Sequence, residues 1–451
     1  MDSSDEQTLL LHKRKGWTTH DVLLFTCNVF VRVVFAVATN LAGVIGQQVS
    51  CELHLTGGQE GWLNSIIYIG LAAGYVLGGV LGDALGRRPT VLLSLYMSLG
   101  SGILTALFPT YPVVMATFAM FGFAAGMVLI ATNVHLAESV SRHSVYVTSA
   151  GALTLTASVV SCVLPLVGFF SLDSISWRYF ALVTICVPCV PALLMHHLLF
   201  RNDTRDCSFS KAGCGSDTQN SEHLQSNFVE DAQDVQIQTK DTDTDAVPRV
   251  WLRVLKLGVY IFSNMCQGWG AITLVPVLLR LNNQEDMLAE SQEPDDGCAT
   301  AIHGLQFILL IVINGGDVIG RAAAFFFLSN YNVPFRLVNS IMAVLMIACY
   351  GALLWDHSIL VIVVSMTLAK LFFSWAVCEF DILAFDPEFL GRDTVAVAAG
   401  LVSLCEALGG VVGNVLAGFL TPHIAVAATF GLGFIKLFAI FSMTEVKRTN
   451  K

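Results

Sequence analysis

Arg32, Asp317, Arg321, Lys370, Glu379, Asp381 and Glu406 each stand inside a long apolar run, an unfavourable setting for a charge. At membrane depth such a group costs about 2.5–3.5 kcal/mol on insertion scales, which makes it a functional candidate by default. It can bind a charged solute, carry a coupling proton or neutralise another buried charge. Asp317 and Arg321 are four residues apart on one helix face and so can neutralise each other. Lys370 and Asp381 are eleven apart and share a face at about 100° per residue. Glu379 and Asp381 fall near the end of their run, where a gate or interface role fits. Arg32 and Glu406 have no local partner, and the expectation is that they pair with one another. The candidates for solute or ion binding are Arg32, Asp317, Arg321, Lys370, Asp381 and Glu406.

A second charged group lies between runs, in GVLGDALGRRPTVL at 79–92. Gly86 permits a tight turn, and Arg87 and Arg88 hold a short loop on the cytoplasmic side. As anchors the arginines would do no more than that. As a gate, Asp83, Gly86, Arg87 and Arg88 would work with acidic groups such as Glu138, making bonds in one conformation that break in the other.

The elements that position these charges follow from composition. The chain has 451 residues, 55% hydrophobic and 13% charged, with a mean hydropathy of +0.67. Soluble domains carry about a quarter charged residues. Apolar runs of about twenty residues cross a bilayer as helices, which satisfy their own backbone hydrogen bonds. The reading is an all-α polytopic membrane protein. Twelve spans are expected, at about 20–45, 61–82, 90–108, 111–134, 146–170, 178–199, 251–279, 303–328, 336–355, 358–383, 394–420 and 423–444. The domain reading is a tail at 1–19, a six-helix bundle at 20–199, a polar, disordered linker at 200–250, a second bundle at 251–444 and a tail at 445–451.

Lys and Arg in the short loops fall on one side, so both termini and the linker are expected in the cytoplasm. The acidic segment 281–297 then faces outside or lumen. The sequon at Asn202–Thr204 lies on the wrong side to be glycosylated. The net charge of −10 sits largely in loops and tail and does not indicate a partner. No basic stripe with interleaved aromatics suggests nucleic acid. Cys186 and Cys189 form a mid-helix CxxC without a second pair, so no metal is expected, and no cofactor. The residues 5–11, DEQTLLL, fit an acidic dileucine pattern, a receptor-read address for sorting adaptors spanning Asp5 to Leu11.

Two loops repeat one another. Glu138 and Arg142 follow span four, and Glu388 and Arg392 follow span ten, about 250 residues later. Each pair has i,i+4 spacing. Six-helix repeats around a midplane site are one way secondary transporters are built.

At these residues the chain resembles the major facilitator superfamily. GGVLGDALGRRP resembles its loop 2–3 signature. AESVSRH and PEFLGRD resemble the acidic-then-Arg loops of the sugar-porter and organic-ion branches. Cys51–Pro89, Gly16-Trp17 and Ser176–Phe180 resemble more narrowly the synaptic vesicle glycoprotein two-related branch. The resemblance implies twelve helices, alternating access and a central cavity for a small, often charged, organic solute. It also puts Lys370 at a position that is basic in relatives.

The departures are specific. Helix one offers Arg32 where relatives carry an acid. Phe118 stands where relatives often have Arg before Gly122. The loop after helix eight keeps only Arg336 of its usual basic set. The arginines of both Glu–Arg loops come about three residues early. The reading is a transporter of a small organic, charged solute, facilitative or driven by a proton or solute gradient. It resides in the plasma membrane or an endosomal or vesicle membrane. The alternative is a transporter-shaped vesicle protein with a trafficking or scaffold role. No P-loop marks a nucleotide-driven pump. An enzyme is disfavoured: His196-His197 lacks a third ligand. Tyr68, Tyr75, Phe118, Phe121, Phe373 and Trp375 are aromatics that could wall a cavity or only pack helices.

Overall fold

The structure is a computed structural model that describes residues 19–139, 143–172, 174–199, 251–269, 300–330, 334–356, 358–383 and 395–443. The helices are α1 (Thr19–Glu52), α2 (Gly57–Leu85), α3 (Arg87–Leu107), α4 (Tyr111–Ser139), α5 (His143–Ser171) and α6 (Trp177–Leu199). In the second half come α7 (251–269), α8 (Thr300–Asn330), α9 (Phe335–Trp355), α10 (Ile359–Leu383), α11 (Val395–Phe419) and α12 (Pro422–Ser442). Eleven of them are long and apolar enough to cross a membrane; α7 coincides with the start of the expected seventh span. The expected tails, linker and acidic segment 281–297 lie outside the described residues, as do the pairing residues Arg142, Glu388 and Arg392.

Each half has a close crossing between its second and fourth helices. In the first, α2 lies on α4, and a Cβ placed on Gly70 or Gly74 would strike the carbonyl oxygen of Ala119 or Phe123. From the other side, Gly122 faces the Ile67 carbonyl in the same way. In the second half α8 lies on α10, with Gly316 against the Thr367 carbonyl and Gly320 against that of Leu371. Small residues at such crossings replace the hydrophobic drive that lipid removes with close backbone packing. The second and fourth helices of each half thus share one device. The glycine run of α2 packs closely on α4 inside its own half. Gly74→Val should therefore cost more than the roughly 1–3 kcal/mol of ordinary overpacking, because backbone and not side chain must yield. The expected outcome is loss of monodisperse protein in size-exclusion chromatography of the detergent extract.

The halves meet along α2 with α11 and α5 with α8. At the first seam the Tyr68 ring sits on Gly410. At the second, Asn314 donates to the Ser161 carbonyl at 2.9 Å and Arg321 to the Thr154 carbonyl at 3.1 Å. Helix ends are fixed locally. Thr56 and Gln59 form a reciprocal capping box at the start of α2. At the same end of the bundle Glu52 accepts from Trp177 and Arg178, tying α1 to α6, and Cys51 is disulfide-bonded. Cys186 and Cys189 are free thiols, and no metal-ligand cluster occurs among the described residues.

Candidate functional site: charges between the two halves

Gly86 has φ 95°, a conformation that costs glycine little, and it closes α2 into α3 in a single residue. This turn aims Arg87 back along α2. Its guanidinium pairs with Asp83 at 2.7 Å and with Glu138 of α4 at 3.0 Å. Gly82 makes room for it, since a Cβ there would meet Arg87 Nη1 at 2.7 Å. Every residue of the Gly-Asp-Ala-Leu-Gly-Arg stretch except the apolar pair thus serves one side chain. Arg88 makes no ion pair among the described residues. The Arg87 cluster closes within the first half, not across the halves. Both acids are half exposed, so the cluster is worth about 1 kcal/mol. Arg87→Gln should lower the melting temperature by only a few degrees in a thermal unfolding scan, while slowing transport if the cluster reforms during the cycle.

Deeper in, α1 and α10 are joined across the halves. Arg32 pairs with Asp381 at 3.6 Å, both nearly inaccessible. This corrects the expectation that Arg32 pairs with Glu406: the nearer carboxylate is on α10. Glu406 on α11 remains in the same electrostatic neighbourhood, together with Asp381, Arg32 and Tyr75. The buried Tyr75 hydroxyl faces the Glu406 carboxylate.

Midway along α8, Asp317 and Arg321 pair at 3.5 Å, as their spacing predicts. The pair is not self-contained: Asp317 also accepts from Ser374 of α10, and Arg321 donates to α5. Beside it Lys370 is 3% exposed. Its ammonium lies 4.6 Å from the Phe373 ring centre and 4.7 Å from that of Trp269. Tyr68 stands 5.4 Å from Trp269 and Phe373 6.3 Å from it. Lys370 makes no ion pair with a described carboxylate. It is a cation held by aromatic faces, with the field of Asp317 nearby.

Among the aromatics, Tyr68 and Phe373 therefore reach the Lys370 group, and Tyr75 the Arg32–Asp381–Glu406 group. Phe118 and Phe121 are core residues, and Trp375 packs on Phe327. Glu379 accepts from Asn339 of α9 at 2.6 Å inside the second half. Sequence reading missed Trp269, Ser374 and Lys436. Lys436 is fully buried on α12; a lone lysine in GFIKLFAIF carries the same signal that singled out Lys370.

The described residues form twelve helices in two glycine-crossed halves with buried charges near their seam, the two-repeat architecture on which one class of secondary transporters is built. The chain belongs to the major facilitator superfamily, whose family model matches residues 29–414. It is similar to the synaptic vesicle 2-related protein of Rattus norvegicus, 29% identical over 86 residues, 19% of this chain and 16% of the rat protein. It is also 26% identical over 134 residues to the facilitated trehalose transporter Tret1 of Apis mellifera ligustica, 30% of this chain and 26% of that protein. These matches span only 16% and 26% of the relatives' own lengths. The fold matches the proton:xylose symporter XylE bound to 6-bromo-6-deoxy-D-glucose, with TM-score 0.65, 13% identity and coverage of 94% of this chain and 96% of that one. It also matches the human organic anion transporter MFSD10, with TM-score 0.61, 14% identity and coverage of 93% and 98%.

Proposed function

We propose that the transported solute is a small organic anion and that Lys370 is its anchor. The observation that carries this is the buried ammonium on two aromatic faces, with no described carboxylate paired to it. At the seam Arg321 balances Asp317 and Arg32 balances Asp381. Lys436 is engaged by the Asn264 amide of α7, so among the described buried lysines and arginines Lys370 is the one left to meet a ligand. The rings that hold it, with Tyr68 behind Trp269, suit an apolar or planar body attached to the anionic group. Glu406, beside the Arg32–Asp381 pair, is the group placed to exchange a proton as that pair opens, so the solute gradient or a proton gradient drives the cycle.

Arg32–Asp381 and the Arg87 cluster act as gates in this reading, together with Arg88, Arg142, Glu388 and Arg392. Both termini face the cytoplasm, and the Asp5–Leu11 stretch directs the protein to endosomal or vesicle membranes through sorting adaptors. The test is uptake of labelled organic anions, organic cations and sugars into proteoliposomes, with and without a pH gradient. Uptake confined to anions supports the reading. Uptake of cations or sugars by protein that takes up no anion overturns it.

A further inference from the structure

The second half contains a buried polar chain that the pairs between the halves do not use. Lys436 on α12 is 0% exposed, and its ammonium donates to Asn264 Oδ1 of α7 at 2.5 Å. It also points at Met346 Sδ of α9, 3.6 Å away, and sits 5.7 Å from the Tyr260 ring centre. No described carboxylate forms an ion pair with it. The amide it orients turns its Nδ2 to the Phe373 carbonyl of α10, at 3.4 Å. Phe373 is one of the two rings on Lys370. Its ring lies directly on Gly268, where any side chain would collide, and the next residue, Trp269, supplies the second ring. The same stretch of α7 is tied to α12 again by Gln267, which donates to the Thr429 carbonyl at 2.9 Å. Tyr350 of α9 donates to the Gln267 carbonyl at 2.5 Å.

We propose that Lys436 is a positioning residue for the aromatic clamp around Lys370. An amide in a protein core can present either face. An ammonium accepts nothing, so it can bond only the amide oxygen, and this fixes Asn264 Nδ2 toward Phe373. Phe373 and the 264–269 stretch of α7 are thereby held in one register. A lysine kept only to fill space would be poorly chosen, since an apolar side chain of its volume avoids the cost of burying a charge. The proposal rests on Lys370 being the solute anchor, and it makes α12, which does not line the seam between the halves, a determinant of affinity.

The experiment compares wild type, Lys436→Met and Lys436→Gln, each reconstituted and normalised to folded protein. A charged hydrogen bond lost at a positioning residue should raise the KM for the transported anion about tenfold, with maximal rate per folded transporter within about twofold. Gln can still donate to Asn264 Oδ1, and Lys436→Gln should fall between. In a double-mutant cycle Asn264→Ala and Lys436→Met should be non-additive in KM, because one acts through the other. An unchanged KM with a lower melting temperature would show a merely structural lysine and overturn the proposal. Should Lys436→Met not fold, Lys436→Gln carries the same decision. A readout without solute separates the two claims: the emission that is lost on Trp269→Phe reports the clamp. If Lys436→Gln shifts that emission but wild type moves no anion, the positioning stands and the anion reading fails. If anions move and neither KM nor emission changes, the positioning fails.

Discussion

Lys370→Ala is expected to abolish anion uptake while leaving a folded, monodisperse protein. The two halves of that expectation have separate causes. Removing one member of a buried ion pair destabilises because the other charge is stranded. Lys370 strands nothing: Asp317 keeps Arg321 at 3.5 Å and the Ser374 hydroxyl. The ammonium's own burial is unfavourable and is compensated by the two rings, worth about 2 kcal/mol when desolvated. Its loss is therefore close to neutral for stability, or favourable. For the solute the balance differs. A desolvated charge pair that is broken on one side costs about 2–5 kcal/mol, so uptake at low solute concentration should fall by about 30-fold or more. Lys370→Arg should not rescue, because a planar guanidinium does not fit between two rings set for a compact ammonium. The measurement is initial uptake per folded transporter, read beside the melting temperature. Undiminished uptake by Lys370→Ala would remove Lys370 from the pathway. A collapse in folding would show that it is a structural cation.

What was legible beforehand depended on whether the cause was local. The spans were legible because the bilayer sets a length and an apolar composition for every crossing helix. The Gly86 turn was legible because the positive φ falls on the glycine that the sequence offers between two apolar runs. Asp317–Arg321 was legible because its geometry lies within one helix turn. The partner of Arg32 was not, since α1 meets α10 only through the docking of two halves, and sequence spacing says nothing of which acid arrives first. Trp269 was hidden for the same reason. It becomes functional only where α7 and α10 bring its ring to Lys370. Lys436 differs: its signal is present in the sequence as a charge in an apolar run, but sequence does not show that an amide on another helix receives it.

Charge reversal at the α1–α10 pair should produce the largest stability effect and also test which acid Arg32 serves. Arg32→Glu would place three carboxylates together, with Asp381 and Glu406, at nearly zero exposure. Breaking a buried pair costs about 3–5 kcal/mol, and like charge adds to that, so the single variant should give little monodisperse protein. Asp381→Arg alone should fail for the converse reason, with two guanidinium groups facing each other. Together, Arg32→Glu and Asp381→Arg restore an opposite pair at the same contact, and yield and melting temperature should recover substantially in fluorescence-detected size exclusion. Arg32→Glu with Glu406→Arg should recover less, because Asp381 remains at 3.6 Å from the position now acidic. Equal rescue by both swaps would mean that the two acids share Arg32 as one site. Better rescue by the Glu406 swap would overturn the pairing with α10. Where the Asp381 swap does restore folding, its uptake becomes informative. The pair bridges the two halves, so its bond must open whenever they separate at that level. A swap that folds well but transports slowly would place the rate limit at the opening of this contact.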